Sequence, residues 1–259
     1  MSMRVVAIIP ARFASTRFPG KPLAVLGGKP VVRWVWERVA AAGVVTDAVV
    51  ATDDERIAEA VEAFGGRAMM TDSHHHSGTD RCGEVVKRLE DEGAVYDVAI
   101  NVQGDEPFVL PAQLEALADC FADKAIRIAT LKTRIESTEE LMSPNNVKVV
   151  CNRQGDALYF SRHPLPYQRG AEPTDWAQRY AYYKHVGIYA FRPATLEEIV
   201  RLPQGGLEVS ESLEQLRWLE NGYPIRVVET NAANVGIDTP ADLQAAEEYL
   251  LRMNESKII

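Results

Sequence analysis

The sequence predicts an α/β fold whose main sheet is parallel and carries helices on both faces. Three observations support it. Short runs of Val, Ile and Ala alternate with amphipathic stretches through the first half of the chain, and this βαβα alternation is typical of parallel sheets with helical crossovers. The 259 residues suffice for one large domain or two small ones, and 46% hydrophobic with 25% charged residues is ordinary globular composition.

The first half of the chain contains the clearest alternation. A buried strand over residues 5–10 leads into a loop that is rich in Gly and Pro and extends to about residue 30. Helical spacing of apolar residues then predicts a helix over 31–43 that is capped by Gly43. The remaining elements follow in the same way: strands 47–52, 67–71 and 95–102, and helices 55–66 (closed by glycine), 79–93 and 111–123.

The second half of the chain does not continue the βαβα alternation, because strand-like segments follow one another with few helices between them. Residues 162–180 are rich in Pro and polar residues and are predicted to form a long exposed loop or arm. A final helix over 239–253 would begin with Thr239 as N-cap and Pro240 at its first position. The other predicted elements are strands 126–133, 147–151, 157–161, 185–191 and 223–230, and helices 194–202 and 210–222.

The composition argues against several classes of partner. Lys and Arg number 28 against 37 Asp and Glu, and a net charge of −9 disfavours binding to nucleic acid or to an anionic membrane. No apolar run approaches the ~20 residues of a bilayer span, and the first residues do not resemble a signal peptide. Cys82, Cys120 and Cys151 are widely spaced and odd in number, which favours a reducing cytoplasm over a disulfide framework.

The charge is unevenly distributed along the chain. The first acidic residue is Glu37, and residues 1–36 contain six Lys or Arg, so this segment carries +6. The other 22 cations and 37 carboxylates leave −15 for the rest. A basic segment in an acidic protein can bind a small anion while the whole molecule repels large ones.

The loop after the first strand carries the strongest chemical signal. Residues 10–23 read PARFASTRFPGKPL, with Arg12, Arg17 and Lys21 within ten residues. Ligands of open α/β sheets bind at the carboxyl ends of strands, and arginine forks with a lysine ammonium suit a polyphosphate. The loop is not a Walker A sequence, since proline follows the lysine, and GxGxxG is absent. We predict a polyphosphate site here; the alternative is a solvated basic loop.

Two aspartates lie at positions that suit a divalent cation. Asp105, in NVQGDEP, directly follows the strand predicted over 95–102, and Asp238, in GIDTP, precedes the last helix. Mg²⁺ takes oxygen ligands, typically one or two carboxylates together with substrate phosphates. If the two aspartates converge, they would hold a metal that bridges a nucleotide and a second substrate. The plainer alternatives are a polar turn at the first aspartate and a helix cap at the second.

Eight segments resemble one known family. They are PARFASTRFPGKPL, HHSGTDR, NVQGDEP, NNVKVV, YFSRHPLPY, HVGIYAF, ESLEQLRWLENGYPI and GIDTPADL, and the similarity as a whole extends over about residues 4–250. The sequence resembles the 3-deoxy-manno-octulosonate cytidylyltransferase (CMP-KDO synthetase) family. The first segment marks sugar-nucleotide cytidylyltransferases in general, including the sialic acid enzymes. YFSR, HVGIYAF and ESLEQLR point more narrowly to the octulosonate family.

The resemblance implies a fold, a reaction and partners. The fold would be nucleotide-diphosphosugar-transferase-like: a mostly parallel Rossmann-type sheet flanked by helices, with a smaller mixed sheet and a dimerisation arm. The enzyme, a nucleotidyltransferase, would convert CTP and the eight-carbon sugar acid to CMP-sugar and pyrophosphate with Mg²⁺, for lipopolysaccharide synthesis. A homodimer is also implied. The alternatives are a cytidylyltransferase for sialic acid or the 8-amino analogue, and a non-catalytic nucleotide-binding regulator.

The resemblance also implies roles for particular residues. Catalysis would depend on Lys21, Asp105 and Asp238, with the two aspartates as metal ligands. The nucleotide would be bound by Ala11, Arg12, Ser15, Arg17, Lys21, Ser77, Gly78, Thr79 and Arg81, of which Arg12, Arg17 and Lys21 would clamp the triphosphate. The sugar acid would be bound by Gln103, Arg162, His185, Tyr189, Glu211 and Gln215.

The domain organisation follows from the same resemblance. Residues 1–259 are predicted to form a single cytidylyltransferase domain, with a nucleotide-binding core over about 1–125 and 223–253 and a sugar-binding and dimerisation region over about 126–222. From the residues themselves, His185 would equally suit a hydrogen-bonded core histidine. The run His74–His76 is predicted to be a solvated or base-contacting loop rather than a metal site, because consecutive side chains point different ways and no Cys/His partner stands at ligand spacing.

Overall fold

The chain forms two compact units, residues 1–115 with 234–259 and residues 116–233. The structure, a computed structural model, describes residues 3–231 and 236–255. It confirms the predicted α/β class. The division of nucleotide and sugar binding between parts of the chain stays a prediction.

The first unit is built around a parallel sheet. Its strands lie in the order β6-β1-β4-β5, and α1, α2 and α3 pack against them. The central strand, β1, is buried along most of its length because both of its faces are covered, as is typical of parallel sheets. In chain order the elements are β1 (Val5–Ala11), β2 (Val25–Leu26), β3 (Lys29–Pro30), α1 (Val31–Ala40), β4 (Asp47–Thr52), α2 (Glu55–Ala63), β5 (Arg67–Met70), α3 (Gly78–Asp91), β6 (Val98–Asn101) and α4 (Pro111–Cys120), in which the chain passes to the second unit.

The helix ends of the first unit follow local capping chemistry. α2 begins at Asp54, whose carboxylate accepts from Arg56 N at 3.0 Å, and it is followed by a glycine at position 65 with φ of 83°. The prediction that Gly43 caps the first helix is wrong. That helix ends at Ala40, and its C-cap, Ala41, keeps right-handed helical geometry.

The second unit contains a mixed sheet. β11 runs parallel to β7, whereas β10 is antiparallel to both β7 and β8, and β9 is antiparallel to β8. The register of β10 on β7 shifts between Val186 and Tyr189, which marks a β-bulge. In chain order the elements are β7 (Ile128–Arg134), α5 (Thr138–Met142), β8 (Lys148–Cys151), β9 (Ala157–Ser161), α6 (Trp176–Arg179), β10 (Tyr183–Phe191), α7 (Pro193–Ile199), α8 (Gly206–Glu211), α9 (Gln215–Glu220) and β11 (Arg226–Glu229).

Two predictions for the second unit need correction. The helix predicted over 210–222 is interrupted, because Ser212 has φ of 51° and the chain turns there between α8 and α9. The predicted loop over 162–180 contains a 3-10 turn at Pro173–Asp175 and the short helix α6. Trp176 anchors this stretch, since its indole donates to Ala171 O at 3.0 Å and packs with buried apolar residues.

The last helix, α10 (Pro240–Glu255), begins as predicted with Thr239 as its cap. Thr239 Oγ1 accepts from Asp242 N at 3.2 Å, and Asp242 Oδ2 accepts from Thr239 N at 2.8 Å and from Asp238 N at 3.0 Å. This reciprocal capping fixes the backbone of Asp238. α10 packs through Ala246 and Leu250 in a cluster with Leu26, Val31, Phe108 and Ile237.

In the described part of the chain no helix is long and apolar enough to cross a membrane.

Candidate active site

A cleft of about 320 Å³ opens at the carboxyl end of β1. The loops that follow β1 and β6 line it, because both parallel strands end at the same edge of the sheet. Most of its lining residues are polar or charged. The predicted site residues that line it are Ala11, Arg12, Ser15, Arg17, Lys21, Gln103 and Asp105.

The loop after β1 is shaped by Phe13. The carbonyl oxygen of Phe13 accepts from Ser15 N and from Gly20 N, both at 2.9 Å. Gly20 has φ of 73°, and a Cβ at that position would lie 3.1 Å from the Phe13 ring, so both backbone and packing favour glycine. The Arg56 guanidinium carbon lies 3.4 Å from the centroid of the same ring. These contacts hold the cationic side chains of the loop on a defined backbone.

A close backbone approach brings the second loop against the first. A Cβ at Gly104 would lie only 2.6 Å from the carbonyl oxygen of Pro10. No larger residue fits there without displacing β1 or the loop. Glycine therefore allows Asp105 to stand beside the cationic loop.

Two cations and two carboxylates meet at this cleft. Lys21 Nζ donates to Asp105 Oδ2 at 2.5 Å and to Asp238 Oδ1 at 3.2 Å. Arg17 lies with one guanidinium nitrogen 3.1 Å from the same Asp238 oxygen. The Lys21 side chain is 12% exposed, whereas those of Arg17 and Asp238 are 64% and 50% exposed. The two aspartates therefore converge on one ammonium group.

Glu106 adds a third carboxylate that the sequence analysis did not single out. A Cβ at Gly236 would lie 3.3 Å from Glu106 Oε1, so this carboxylate packs against the segment that leads to Asp238. Burial, and then the charges of Asp105 and Asp238, raise the pKa of Glu106 to about 8, although Lys21 opposes the shift. The residue is largely protonated at neutral pH. Its place beside Asp105 in NVQGDEP was the available signal.

The donor set at the cleft suits a hard cation. Within residues 3–231 and 236–255, no group of three or more His, Cys, Asp or Glu is arranged as a metal site. Asp105 and Asp238 nevertheless supply two converging carboxylates, which is what Mg²⁺ uses when phosphates complete its shell. Two residues of the histidine run lie beside carboxylates, since His75 Nε2 is 2.5 Å from Glu84 Oε2 and His74 Nδ1 is 2.7 Å from Asp72 Oδ1.

Four of the residues predicted to bind the nucleotide lie at the start of α3: Ser77, Gly78, Thr79 and Arg81. Ser77 Oγ accepts from Asp80 N at 3.0 Å, and Asp80 Oδ2 accepts from Ser77 N at 3.0 Å, which forms a capping box. Arg12 connects this helix start to the cleft by donating to the carbonyl oxygens of Ser77, at 3.2 Å, and of His75. Desolvation and the nearby Arg81 lower the pKa of Arg12.

Thr79 and Arg81 are buried beneath this helix start. Arg81 donates to Asp53 Oδ2 at 2.9 Å and to Thr71 Oγ1. Gly78 packs on Pro10, since a Cβ there would lie 3.4 Å from the proline ring. The side chains of Thr79 and Arg81 do not line the cleft and instead support the backbone that Arg12 contacts. Asp53, which accepts from Arg81, was not among the residues predicted to form the site.

In the second unit, His185 and Tyr189 flank the bulge of β10. His185 Nε2 lies 2.9 Å from Thr130 Oγ1, and that hydroxyl donates to Ile188 O at 2.9 Å. Burial lowers the pKa of His185 to about 3, so the ring is neutral at pH 7. The Tyr189 hydroxyl is buried and has no hydrogen-bond partner among the described residues.

Arg162 and Glu211 are engaged with the backbone around them. The Glu211 carboxylate accepts from Ser161 Oγ at 2.6 Å and from Arg162 N at 2.9 Å. Arg162 Nε donates to Glu211 O at 2.7 Å, and its Nη1 donates to Pro144 O at 3.0 Å. Gln215 is buried in the first turn of α9. The contacts of Arg162 and Glu211 hold the end of β9 to the end of α8, and the role of all three in sugar-acid binding stays a prediction.

Comparisons with known proteins agree with the resemblance in the motifs. Residues 6–230 match a family model described as cytidylyltransferase. Relatives named 3-deoxy-manno-octulosonate cytidylyltransferase are 53% identical over 251 residues in Bacteroides thetaiotaomicron and 52% identical over 256 residues in Geobacter metallireducens, covering 96% of this chain and 98% or 99% of theirs. A solved CMP:2-keto-3-deoxy-manno-octonic acid synthetase complexed with CTP matches with a TM-score of 0.87 and 43% identity, over 96% of this chain and 99% of its own. The chain belongs to the 3-deoxy-manno-octulosonate cytidylyltransferase family.

Proposed function

We propose that this chain transfers CMP from CTP to the anomeric hydroxyl of 3-deoxy-D-manno-octulosonate, releasing pyrophosphate. The CMP-sugar would serve lipopolysaccharide synthesis. The observation that carries the proposal is the contact of Lys21 with both Asp105 and Asp238 in the cleft after β1. Family membership supports the choice of CTP and of the sugar acid.

The reaction needs positioning and charge neutralisation more than covalent help from the protein. The anomeric oxygen attacks the α-phosphorus, and the bond from that phosphorus to the oxygen bridging the β-phosphate breaks. Arg12, Arg17 and Lys21 lie along the cleft where they would bind the phosphates and stabilise the departing pyrophosphate. An aligned oxygen and phosphorus can supply about 7–11 kcal/mol through proximity.

Mg²⁺ is part of the proposal, with Asp105 and Asp238 as its protein ligands. The residues fit such an ion because both carboxylates already turn toward one cation and offer only oxygen donors. When bound, the ion would lower the pKa of the attacking hydroxyl and screen the approach of two anions.

We also propose a homodimer located in the cytoplasm. Exposed apolar side chains in the second unit, Leu158, Tyr167 and Val209, suit an interface between copies of the chain. Cys82, Cys120 and Cys151 form no disulfide among the described residues, which suits a reducing compartment. Cross-linking or light scattering of the purified protein tests the oligomeric state.

The activity is tested by pyrophosphate release from CTP and Mg²⁺ with a panel of sugar acids. We expect the fastest release with 3-deoxy-D-manno-octulosonate and background release without sugar. A faster reaction with the 8-amino analogue or with sialic acid would reassign the substrate. No release with any of the three, from protein that binds CTP, would favour the non-catalytic regulator.

A further inference from the structure

The side chains proposed to hold Mg²⁺ are the counter-ions of those proposed to hold the phosphates. Lys21 Nζ contacts Asp105 at 2.5 Å and Asp238 at 3.2 Å, and Arg17 contacts Asp238 at 3.1 Å. These four formal charges cancel. The aspartates proposed to bind Mg²⁺ are therefore already paired with the cations proposed to bind the phosphates.

The ion pair between Lys21 and Asp105 is less exposed to water than an ordinary surface ion pair. The Lys21 side chain is 12% exposed and that of Asp105 is 28% exposed, so water screens their attraction less than it does at the surface. A divalent cation that approached these carboxylates would meet the ammonium at short range. A triphosphate that drew the ammonium away would leave the two carboxylates facing its own negative charge.

We infer that Lys21 and Arg17 exchange partners when substrate binds, passing from the aspartates to the phosphates while the metal takes the aspartates. This inference rests on the proposed function. Its consequence is that CTP and the divalent cation bind interdependently, because each removes the counter-charge that excludes the other. By linkage, the factor by which one raises the affinity of the other is the same in both directions.

Lys21→Met removes the ammonium and keeps the length of the side chain, and we expect it to change nucleotide binding and metal binding in opposite directions. CTP binding should weaken, yet binding of the metal itself should strengthen. We expect nucleotide-free Lys21→Met protein to bind Mn²⁺ at least about tenfold more tightly than the unmodified protein, since a like charge at close range has been removed. Electron paramagnetic resonance of free Mn²⁺ during a titration measures this affinity without any turnover.

Two further variants identify the cause of the change. Lys29→Met alters the net charge equally, but Lys29 pairs with Glu37 at 2.7 Å and not with either aspartate, so its Mn²⁺ affinity should equal that of the unmodified protein. The double variant Lys21→Met with Asp105→Asn should lose the gain. Thermal unfolding in Mg²⁺ without nucleotide gives a second readout, in which Lys21→Met should be stabilised more than the unmodified protein.

Equal or weaker Mn²⁺ binding by folded Lys21→Met protein would overturn the exchange. The same gain in Lys29→Met would also overturn it, because the effect would then reflect net charge. The outcome is separate from that of the proposed function. Formation of CMP-sugar with no gain in Lys21→Met removes only the exchange, whereas a gain without CMP-sugar formation removes only the assigned reaction.

Discussion

The cleft after β1 and the region around β10 use ionisable groups in opposite ways. In the cleft, Lys21 and Arg17 meet Asp105 and Asp238. The Lys21 side chain is only 12% exposed, but those of Asp105, Asp238 and Arg17 are 28%, 50% and 64% exposed, so the carboxylates remain open to solvent. Around β10, by contrast, His185 is neutral because it is desolvated. The nearby Glu211 carboxylate accepts from Ser161 Oγ and Arg162 N, and Lys148 donates to three backbone carbonyl oxygens.

The buried pair of α8 and α9 shows this contrast most clearly. Arg217 donates from Nε to Glu208 Oε2 at 2.7 Å and from Nη2 to Glu208 Oε1 at 2.6 Å, and the two side chains are 10% and 8% exposed. Separating such a pair strands a charge away from water, whereas partly exposed pairs exchange partners at small free-energy cost. Charge in the cleft therefore suits ligand binding, and charge near β10 suits a fixed scaffold.

The largest effect we expect is on turnover after Asp105→Asn. The rate of pyrophosphate release should fall about a thousandfold, the order seen when one group that stabilises transition-state charge is removed. The free energy of unfolding should change by less than about 1 kcal/mol, because the carboxylate is partly exposed. Asp91→Asn, at an exposed pair with Lys87, is the matched control and should retain full activity. Near-normal release by Asp105→Asn would remove that residue from the metal site.

Arg217→Met should show the opposite profile, with a loss of stability. We expect the free energy of unfolding to fall by about 3–5 kcal/mol, since the Glu208 carboxylate would be left buried without its partner. Arg201→Met is the control, because Arg201 and Glu197 pair with side chains 71% and 50% exposed. Its loss should stay below about 1 kcal/mol. Equal urea midpoints for the two variants would show that burial does not distinguish these pairs.

A smaller effect concerns the pH dependence of stability at His185. The unfolded chain takes up a proton on this histidine below its usual pKa of 6.5, whereas the folded protein does so only near pH 3. The stability due to the neutral ring is therefore complete above pH 6.5 and decreases as the pH falls below it. Between about pH 7.5 and pH 5, the unmodified protein should lose about 2 kcal/mol more than His185→Gln.

Urea unfolding at the two pH values measures this difference. His74→Gln is the control, because the His74 side chain is exposed and its replacement should leave the loss unchanged. A loss in His185→Gln as large as that of the unmodified protein would show that His185 titrates alike in the folded and unfolded states.

Much of the first unit could be predicted from the sequence. The strands near residues 5–10 and 47–52 are short apolar runs, and such runs specify a buried parallel sheet with little help from distant residues. Because parallel strands end at one edge, the loops carrying Lys21 and Asp105 could be expected to meet there. The cap at Thr239 followed from local chemistry.

The features that were missed depend on tertiary context. The break at Ser212 interrupts a stretch whose apolar spacing is helical throughout, so periodicity could not reveal it. Glu106 follows Asp105 in NVQGDEP, but its raised pKa comes from burial and from the charges of Asp105 and Asp238, and the approach of Asp238 is not encoded in the local sequence. The engagement of Arg162 with backbone carbonyls likewise arises from the approach of separate segments.

The central claim, transfer of CMP to the sugar acid, is tested most directly by ³¹P NMR of the reaction with CTP, Mg²⁺ and 3-deoxy-D-manno-octulosonate. We expect the triphosphate signals to be replaced by pyrophosphate and by a phosphodiester of CMP-sugar in equal amounts, and Asp105→Asn to produce neither. Pyrophosphate accompanied by free CMP and no phosphodiester, or CTP left unchanged by folded protein, would contradict it.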